Sequence, residues 1–341
     1  MIKIDILIPV YNESERIEGC LDSVFSFEIP SNTITNIFVI DGMSQDDTLS
    51  KIKKYQENNK NLFILSNPNK IQSCALNIGI KQSNADFILR LDAHSSYPKD
   101  YLANCLDTSL SSDADNVGGL AITEPGNRSL GALVVQAITT SKFGVGNSGF
   151  RVGALEGQRD TVPYGFFKRK IFDQIGLFNE RLERAQDYEF NQRIKKNGGL
   201  IWFNPNIFFY YYNQKSLFKF LRKQLKYEAP YNAYMWYLAP YTFNLRHSIT
   251  LFFFIGIILG CALTFFQVSA ILTILFISIL SLYFVLGIFF SFVQYKRYKR
   301  RGLIAYLPFS FFLFHFIHGL GIFIGILKLA LLRSPVQNKA D

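Results

Sequence analysis

Apolar and polar positions follow two regimes along this chain. Through residues 1–213, short runs rich in Ile, Val and Leu alternate with stretches whose apolar residues recur at helical period. The runs predict strands over 4–10, 37–41, 62–66, 87–92 and 117–123. The intervening stretches predict helices over 15–25, 47–58, 73–81 and 99–110. A further helix opens near Gln186 and stops at Asn197-Gly198-Gly199, and 201–212 reads as a last strand. Strand-helix alternation of this kind predicts an α/β fold with a mostly parallel, Rossmann-like sheet covered on both faces. Ligands of such sheets lie outside the carboxyl ends of the strands, which is where Pro9–Glu13, Asp41 and Asp92–His94 fall.

Beyond residue 213 the pattern loses its polar half. The segments 249–266, 268–293 and 303–327 carry no Asp, Glu, Lys or Arg. At about 1.5 Å per residue each reaches or approaches the hydrocarbon thickness of a bilayer, so each is a candidate span. The expected organisation is a globular unit at 1–213, an amphipathic and aromatic interfacial segment at 214–247, and a membrane unit at 248–341. In the interfacial segment Lys215, Lys219, Arg222, Lys223 and Lys226 share one helical face. Phe218, Leu221 and Leu225 share another, and Tyr231, Tyr234, Trp236, Tyr237 and Tyr241 follow. An ordinary surface helix is the competing reading. The loop 294–302 holds five basic residues, which predicts a cytoplasmic side for it and, two crossings earlier, for the globular unit. A third crossing would export Lys328, Arg333 and Lys339. The alternative is a re-entrant 303–327 containing Pro308, and the crossing is the favoured reading.

Charge divides at the same point. The overall net charge is +10, but 214–341 carries +12 and 1–213 carries −2. The basic excess therefore suits anionic lipid headgroups and not nucleic acid. Four cysteines at 20, 74, 105 and 261 have neither zinc-ligand nor disulfide-framework spacing. The N-terminus, broken by Asp5, does not read as a signal peptide. Two or three spans without an ionisable path argue against a transporter. His315 and His318 share a face of the last span, as polar packing between helices or as a ligand pair.

Four stretches carry candidate chemistry. PVYNE (9–13) places polar groups and Tyr11 where a base and ribose would stack, or is a Pro-punctuated turn. In DGMSQDDT (41–48), Asp41 is placed to accept hydrogen bonds from a nucleoside, and Asp46 or Asp47 to cap the next helix. In RLDAHSSYP (90–98), Asp92 and His94 point the same way if the strand continues. Together they form a candidate site for a divalent ion, Mn²⁺ before Mg²⁺ given the imidazole. The alternative is a capped turn with a surface histidine. In RAQDYEFNQRI (184–194), Asp187 and Glu189 cannot face one direction on a helix, so one is a candidate base and the other caps or pairs. GVGNSG (144–149) matches a dinucleotide fingerprint but follows a helical run and not a strand, and reads as a mobile loop.

Taken together with ALNIGI (75–80), KFGVGNSGFRVG (142–153), DTVPYGFF (160–167) and ERLERAQDYEFNQRI (180–194), these stretches resemble glycosyltransferase family 2, the inverting enzymes of GT-A fold. Within it they are most similar to the membrane-bound succinoglycan-type glucosyltransferases of exopolysaccharide assembly. The resemblance implies that Pro9, Tyr11, Glu13 and Asp41 contact the nucleoside and that Lys70 reaches the uracil or diphosphate. It also implies that Asp92 and His94 hold Mn²⁺ or Mg²⁺ at the DXD-type motif, with Asp92 thereby neighbouring the diphosphate, and that Asp187 is the catalytic base. Lys223 or Lys226 would stabilise the departing diphosphate. Three departures accompany it: Asp-Ala-His at the metal motif, Gln186 before the base in place of Glu, and KQLKY (223–227) where processive synthases have QxxRW. The last favours addition of a single sugar.

The implied reaction moves one sugar, glucose by the resemblance, from a UDP-sugar to a polyprenyl-diphosphate-linked saccharide. Its implied place is the bacterial cytoplasmic membrane, with the catalytic unit facing the cytoplasm, where other polysaccharide-assembly proteins are available as partners. A catalytically inactive nucleotide-sugar binding protein and a sugar nucleotidyltransferase are the alternatives. The latter would be expected to open with a Gly- and basic-rich loop where this chain has PVYNE.

Overall fold

The computed structural model describes residues 1–337, so Lys339 lies outside the described residues. Strands β1 (Ile2–Val10), β2 (Thr33–Asp41), β3 (Leu62–Ser66) and β4 (Phe87–Arg90) alternate with helices α1 (Ile17–Phe25), α2 (Thr48–Asn58) and α3 (Gln72–Gln82). Then come β5 (Ser95–Ser96), α4 (Tyr101–Ser112), β6 (Asn116–Glu124), α5 (Leu130–Thr139), α6 (Lys142–Val145) and α7 (Gly149–Val152). The globular part closes with β7 (Gly157–Gln158), β8 (Phe166–Lys168), α8 (Lys170–Ile175), α9 (Gln186–Lys196) and β9 (Ile201–Tyr212).

Among the described residues nine strands form one sheet, ordered β3-β2-β1-β4-β8-β6-β9-β5, with β7 paired to β9. The β3-β2-β1-β4 half is parallel, whereas β8 runs antiparallel to β4 and β6, and β5 and β7 run antiparallel to β9. The parallel half is the part that strand-helix alternation predicts. The short strands β5, β7 and β8 were not expected, being too brief to show a period.

β1 is buried on both faces. Ile4, Ile6 and Ile8 join one core with α1 and α4, and Leu7 joins a second with α3, α8 and α9. Asp5 is tolerated there because Asn36 donates to its Oδ1 at 3.0 Å and Ser83 Oγ to its Oδ2 at 2.5 Å. The register Pro9↔Ile40, Val10↔Asp41 and Leu7↔Arg90 brings the polar ends of β1, β2 and β4 to one edge. β4 ends two residues before the expected Asp92. Leu91 N still bonds Leu7 O at 2.9 Å, but Asp92 N turns to Tyr97 Oη at 2.8 Å. β6 and β9 approach so closely at Gly119 that a Cβ there would lie 1.6 Å from Ile207 O.

The chain forms two compact units, 1–122 with 149–212, and 123–148 with 213–341. Residues 123–148, expected in the globular unit, thus belong to the second. That unit continues through α10 (Leu217–Lys223), a π-helical turn (Gln224–Glu228), α11 (Ala229–Leu238), α12 (Leu245–Phe265), α13 (Ala270–Tyr298) and α14 (Gly302–Ala330).

The last three helices are long and apolar enough to cross a membrane. α13 leaves apolar side chains such as Ile271, Val285 and Phe289 exposed, a surface suited to lipid. α14 runs unbroken through Pro308. Val135 and Ile138 of α5 pack with Leu303, Leu307 and Phe311. His315 bonds Tyr283 Oη at 2.8 Å and Gly144 O at 3.2 Å, and His318 bonds Thr250 Oγ1 at 2.8 Å, so both histidines pack helices together. In the interfacial segment Phe218 is exposed, whereas Phe220, which the helical-face reading did not use, is buried. Tyr231 and Tyr234, expected at headgroup depth, are buried too, and Tyr237 and Tyr241 remain exposed.

Candidate active site

The loops after β1 and β2 are built on each other. Ser44 Oγ donates to Asp41 Oδ1 at 2.6 Å and accepts from Asn12 N at 2.9 Å, and Gln45 N returns to Asn12 Oδ1 at 2.8 Å. Thr48 Oγ1 donates to Asp46 Oδ1 at 2.5 Å and accepts from Glu13 N at 2.8 Å, and Asp46 also accepts from Ser14 N and Thr48 N. These bonds favour the charged form and hold the Asp46 carboxyl well below the usual carboxylate range. Asp46, not Asp47, therefore makes the expected bonds at the start of α2. Asp41 is 6% exposed. Beside it Tyr11 is 43% exposed, with Lys70 Nζ 5.6 Å from its ring centre. An open aromatic face with a cation over it can receive a stacked base.

The edge of β4 carries the strongest electrostatics. Arg90, its side chain 3% exposed, sends Nη2 to Asp92 Oδ1 at 3.5 Å and Nη1 to Asp187 Oδ1. It thereby neutralises the charge at the strand end, a role the sequence reading gave to a metal ion alone. Gln72 at the start of α3 donates to Asp92 Oδ1 at 2.7 Å and accepts from Gln186 at 2.6 Å. Tyr97 clamps the Asp92 backbone through both its N–H and its C=O. Tyr164 lies under Arg90, 5.5 Å from ring centre to guanidinium carbon. Each carboxylate thus turns Oδ1 toward Arg90, and neither Oδ2 has a hydrogen-bond partner among the described residues.

Asp187 sits in the first turn of α9. Burial pushes its carboxyl above the usual aspartate range, and the Arg90 guanidinium opposes that rise without cancelling it. Its Oδ1 is enclosed while the side chain keeps 30% of its surface. Glu189 is held in a two-pronged pair with Arg193 at 2.8 and 2.9 Å. Both acids of this turn are paired, Glu189 with Arg193 and Asp187 with Arg90.

His94 Nε2 faces Asp92 Oδ2 at 4.0 Å, and its Nδ1 faces Glu13 Oε1 at 3.5 Å. Among the described residues no three His, Cys, Asp or Glu side chains form a metal-holding group. The Asp92 carboxylate and the His94 imidazole that face each other here are the residues that would hold a divalent ion, the remaining ligands coming from substrate and water. Three carboxylates, Glu13, Asp92 and Asp187, lie around the one guanidinium of Arg90, an excess of two. A bound diphosphate needs that excess offset. Lys223 and Lys226, which the sequence reading assigned to the diphosphate, lie in the second unit, where Lys223 pairs with Glu228 at 3.1 Å.

Residues 5–176 match the profile of Glycosyl transferase family 2. The chain is 30% identical over 340 residues to a Methanococcus voltae protein named dolichyl N-acetyl-alpha-D-glucosaminyl phosphate 3-beta-D-2,3-diacetamido-2,3-dideoxy-beta-D-glucuronosyltransferase. That alignment covers 95% of this chain and 97% of the relative. The succinoglycan biosynthesis protein ExoA of Rhizobium meliloti is 28% identical over 218 residues, 62% of this chain and 64% of the relative. The mannosyltransferase PcManGT of Pyrobaculum calidifontis, solved with GDP-Man and Mn²⁺, is similar in fold. Its TM-score is 0.61 at 16% identity, over 97% of this chain and 88% of that one. The family expected from the motifs and the GT-A type of α/β core are borne out.

Proposed function

The chain belongs to glycosyltransferase family 2, and from that membership we propose that it moves one sugar from a UDP-sugar to a saccharide carried on a polyprenyl phosphate or diphosphate, with inversion. The acceptor class is supported by the dolichyl phosphate substrate in the Methanococcus voltae relative's name, and by three helices able to cross a membrane. Exopolysaccharide or surface-glycan assembly is the setting, supported by the similarity to ExoA. The catalytic unit faces the cytoplasm, in keeping with the basic loop 294–302.

The observation that carries this reading is the pair of carboxylates joined, Oδ1 to Oδ1, through Arg90. Asp187 Oδ2 takes the proton of the acceptor hydroxyl as that oxygen attacks the anomeric carbon. A carboxyl raised by burial is the better base for this. Tyr11, with Lys70 above it, stacks the uracil, and Pro9, Glu13 and Asp41 shape the nucleoside pocket. Asp92 Oδ2 and His94 are the residues that would hold Mn²⁺ or Mg²⁺. When bound, the ion supplies positive charge to the diphosphate as the sugar leaves. Arg90 holds both carboxylates in place, and Gln72 and Gln186 orient Asp92.

Membranes containing the chain, given radiolabelled UDP-sugars with and without Mn²⁺, should transfer label to the lipid phase. Nucleotide-sugar binding without turnover would instead indicate the inactive binding protein.

A further inference from the structure

One cation beside this site has no role in the account so far. Arg151 lies on α7, in the Gly-rich stretch between β6 and β7. Its guanidinium carbon is 5.7 Å from the ring centre of Tyr211 and 5.3 Å from that of Phe150. It has no carboxylate partner among the described residues. The Tyr211 ring is also 5.5 Å from the His94 ring, and Tyr211 is held opposite Ser95 in the β5–β9 pair. Arg151 and His94 therefore pack against one tyrosine at the carboxyl edge of the sheet. The carboxylates there exceed the Arg90 charge by two. A guanidinium stacked on aromatic rings keeps its edge free for a bidentate anion.

We infer that Arg151 binds the diphosphate of the donor nucleotide and stabilises it as it departs. The inference rests on the glycosyl-transfer reading above. In that step the bond between the anomeric carbon and the β-phosphate oxygen breaks and its electron pair stays on that oxygen. The acceptor oxygen forms the new bond to carbon, and its proton passes to Asp187. Negative charge grows on the diphosphate, so a fixed cation there is worth more in the transition state than in the ground state.

The test uses the full chain in detergent, with UDP as probe in EDTA, read by isothermal titration calorimetry. Arg151→Met keeps the stacking bulk and removes the charge, and should weaken UDP binding about tenfold or more. In Mn²⁺, its kcat for transfer should fall about 100-fold with a smaller change in donor KM. Arg151→Lys keeps the charge but loses the planar fork and the stacking, and should fall between wild type and Arg151→Met in UDP affinity. Melting temperatures separate loss of ligand from loss of fold. If Arg151→Met binds UDP as wild type does, or if Arg151→Lys loses as much as Arg151→Met while both melt normally, the inference is overturned. A wild-type chain that binds no UDP would instead overturn the donor reading beneath it.

Discussion

Removing Arg90 would strand two carboxylates at once. Arg90→Met keeps the length of the side chain but deletes a charge that is 3% exposed and shared by Asp92 and Asp187. Breaking a buried pair by removing one partner costs about 3–5 kcal/mol. For a unit of this size each kcal/mol lowers the melting temperature by about 2–4 °C, so the expected loss is on the order of 6–20 °C. The pH dependence follows from Asp187. Burial already places its carboxyl above the unfolded-state value, and Arg90 is the group that opposes this rise. In the variant the folded-state value climbs further. The ionised form is then penalised above that value, and protonation relieves the penalty as pH falls through it. The deficit against wild type should be larger near about pH 8 than near about pH 5. Thermal unfolding of the detergent-solubilised full chain, followed by intrinsic fluorescence, reads both effects. The double variant Arg90→Met with Asp187→Asn should recover part of the loss, because it removes one of the stranded charges. A deficit under about 2 °C at the higher pH, or one that grows on acidification, would refute the reasoning.

Other outcomes follow from particular contacts. His94→Asp should shift the preferred ion from Mn²⁺ toward Mg²⁺ by making the ligand set all oxygen; the ratio of transfer rates in the two ions measures it, and an unchanged ratio would remove His94 from the site. Gly119→Ala would press a Cβ against Ile207 O at 1.6 Å, and should cost more than about 3 kcal/mol, read as a lower unfolding temperature or lost expression. Replacing Lys215, Lys219 and Arg222 with Gln should weaken binding to anionic vesicles by roughly 1 kcal/mol per charge; vesicle flotation that ignores both the substitutions and the salt concentration would contradict the interfacial reading.

The parallel half of the sheet was legible because βα alternation writes two distinct periods into the chain, and Asp41 and Asp92 stand out as polar residues at the ends of apolar runs. The partner of Asp92 lies in the same motif. The period-two argument that paired Asp92 with His94 applies equally to Arg90 and Asp92, and would have supplied the counter-charge from within the same motif. Gln72, 20 residues from Asp92 in the chain, left no local signal. The placement of 123–148 with the second unit was equally hidden. The apolar run of α5 looks the same in sequence whether it covers a sheet or packs against α14. Tyr231 and Tyr234 show the same limit, since residue type places an aromatic at an interface but not on its outer face.

The central claim is that Asp187 removes the acceptor proton during transfer to a lipid-linked sugar. The measurement that reaches it most directly compares wild type with Asp187→Asn in membranes supplied with radiolabelled UDP-sugar and Mn²⁺, with UDP affinity measured on the same preparations. The account predicts lipid-phase label in wild type, a fall of about 100-fold or more in the variant, and UDP binding retained. Normal turnover by Asp187→Asn would contradict it.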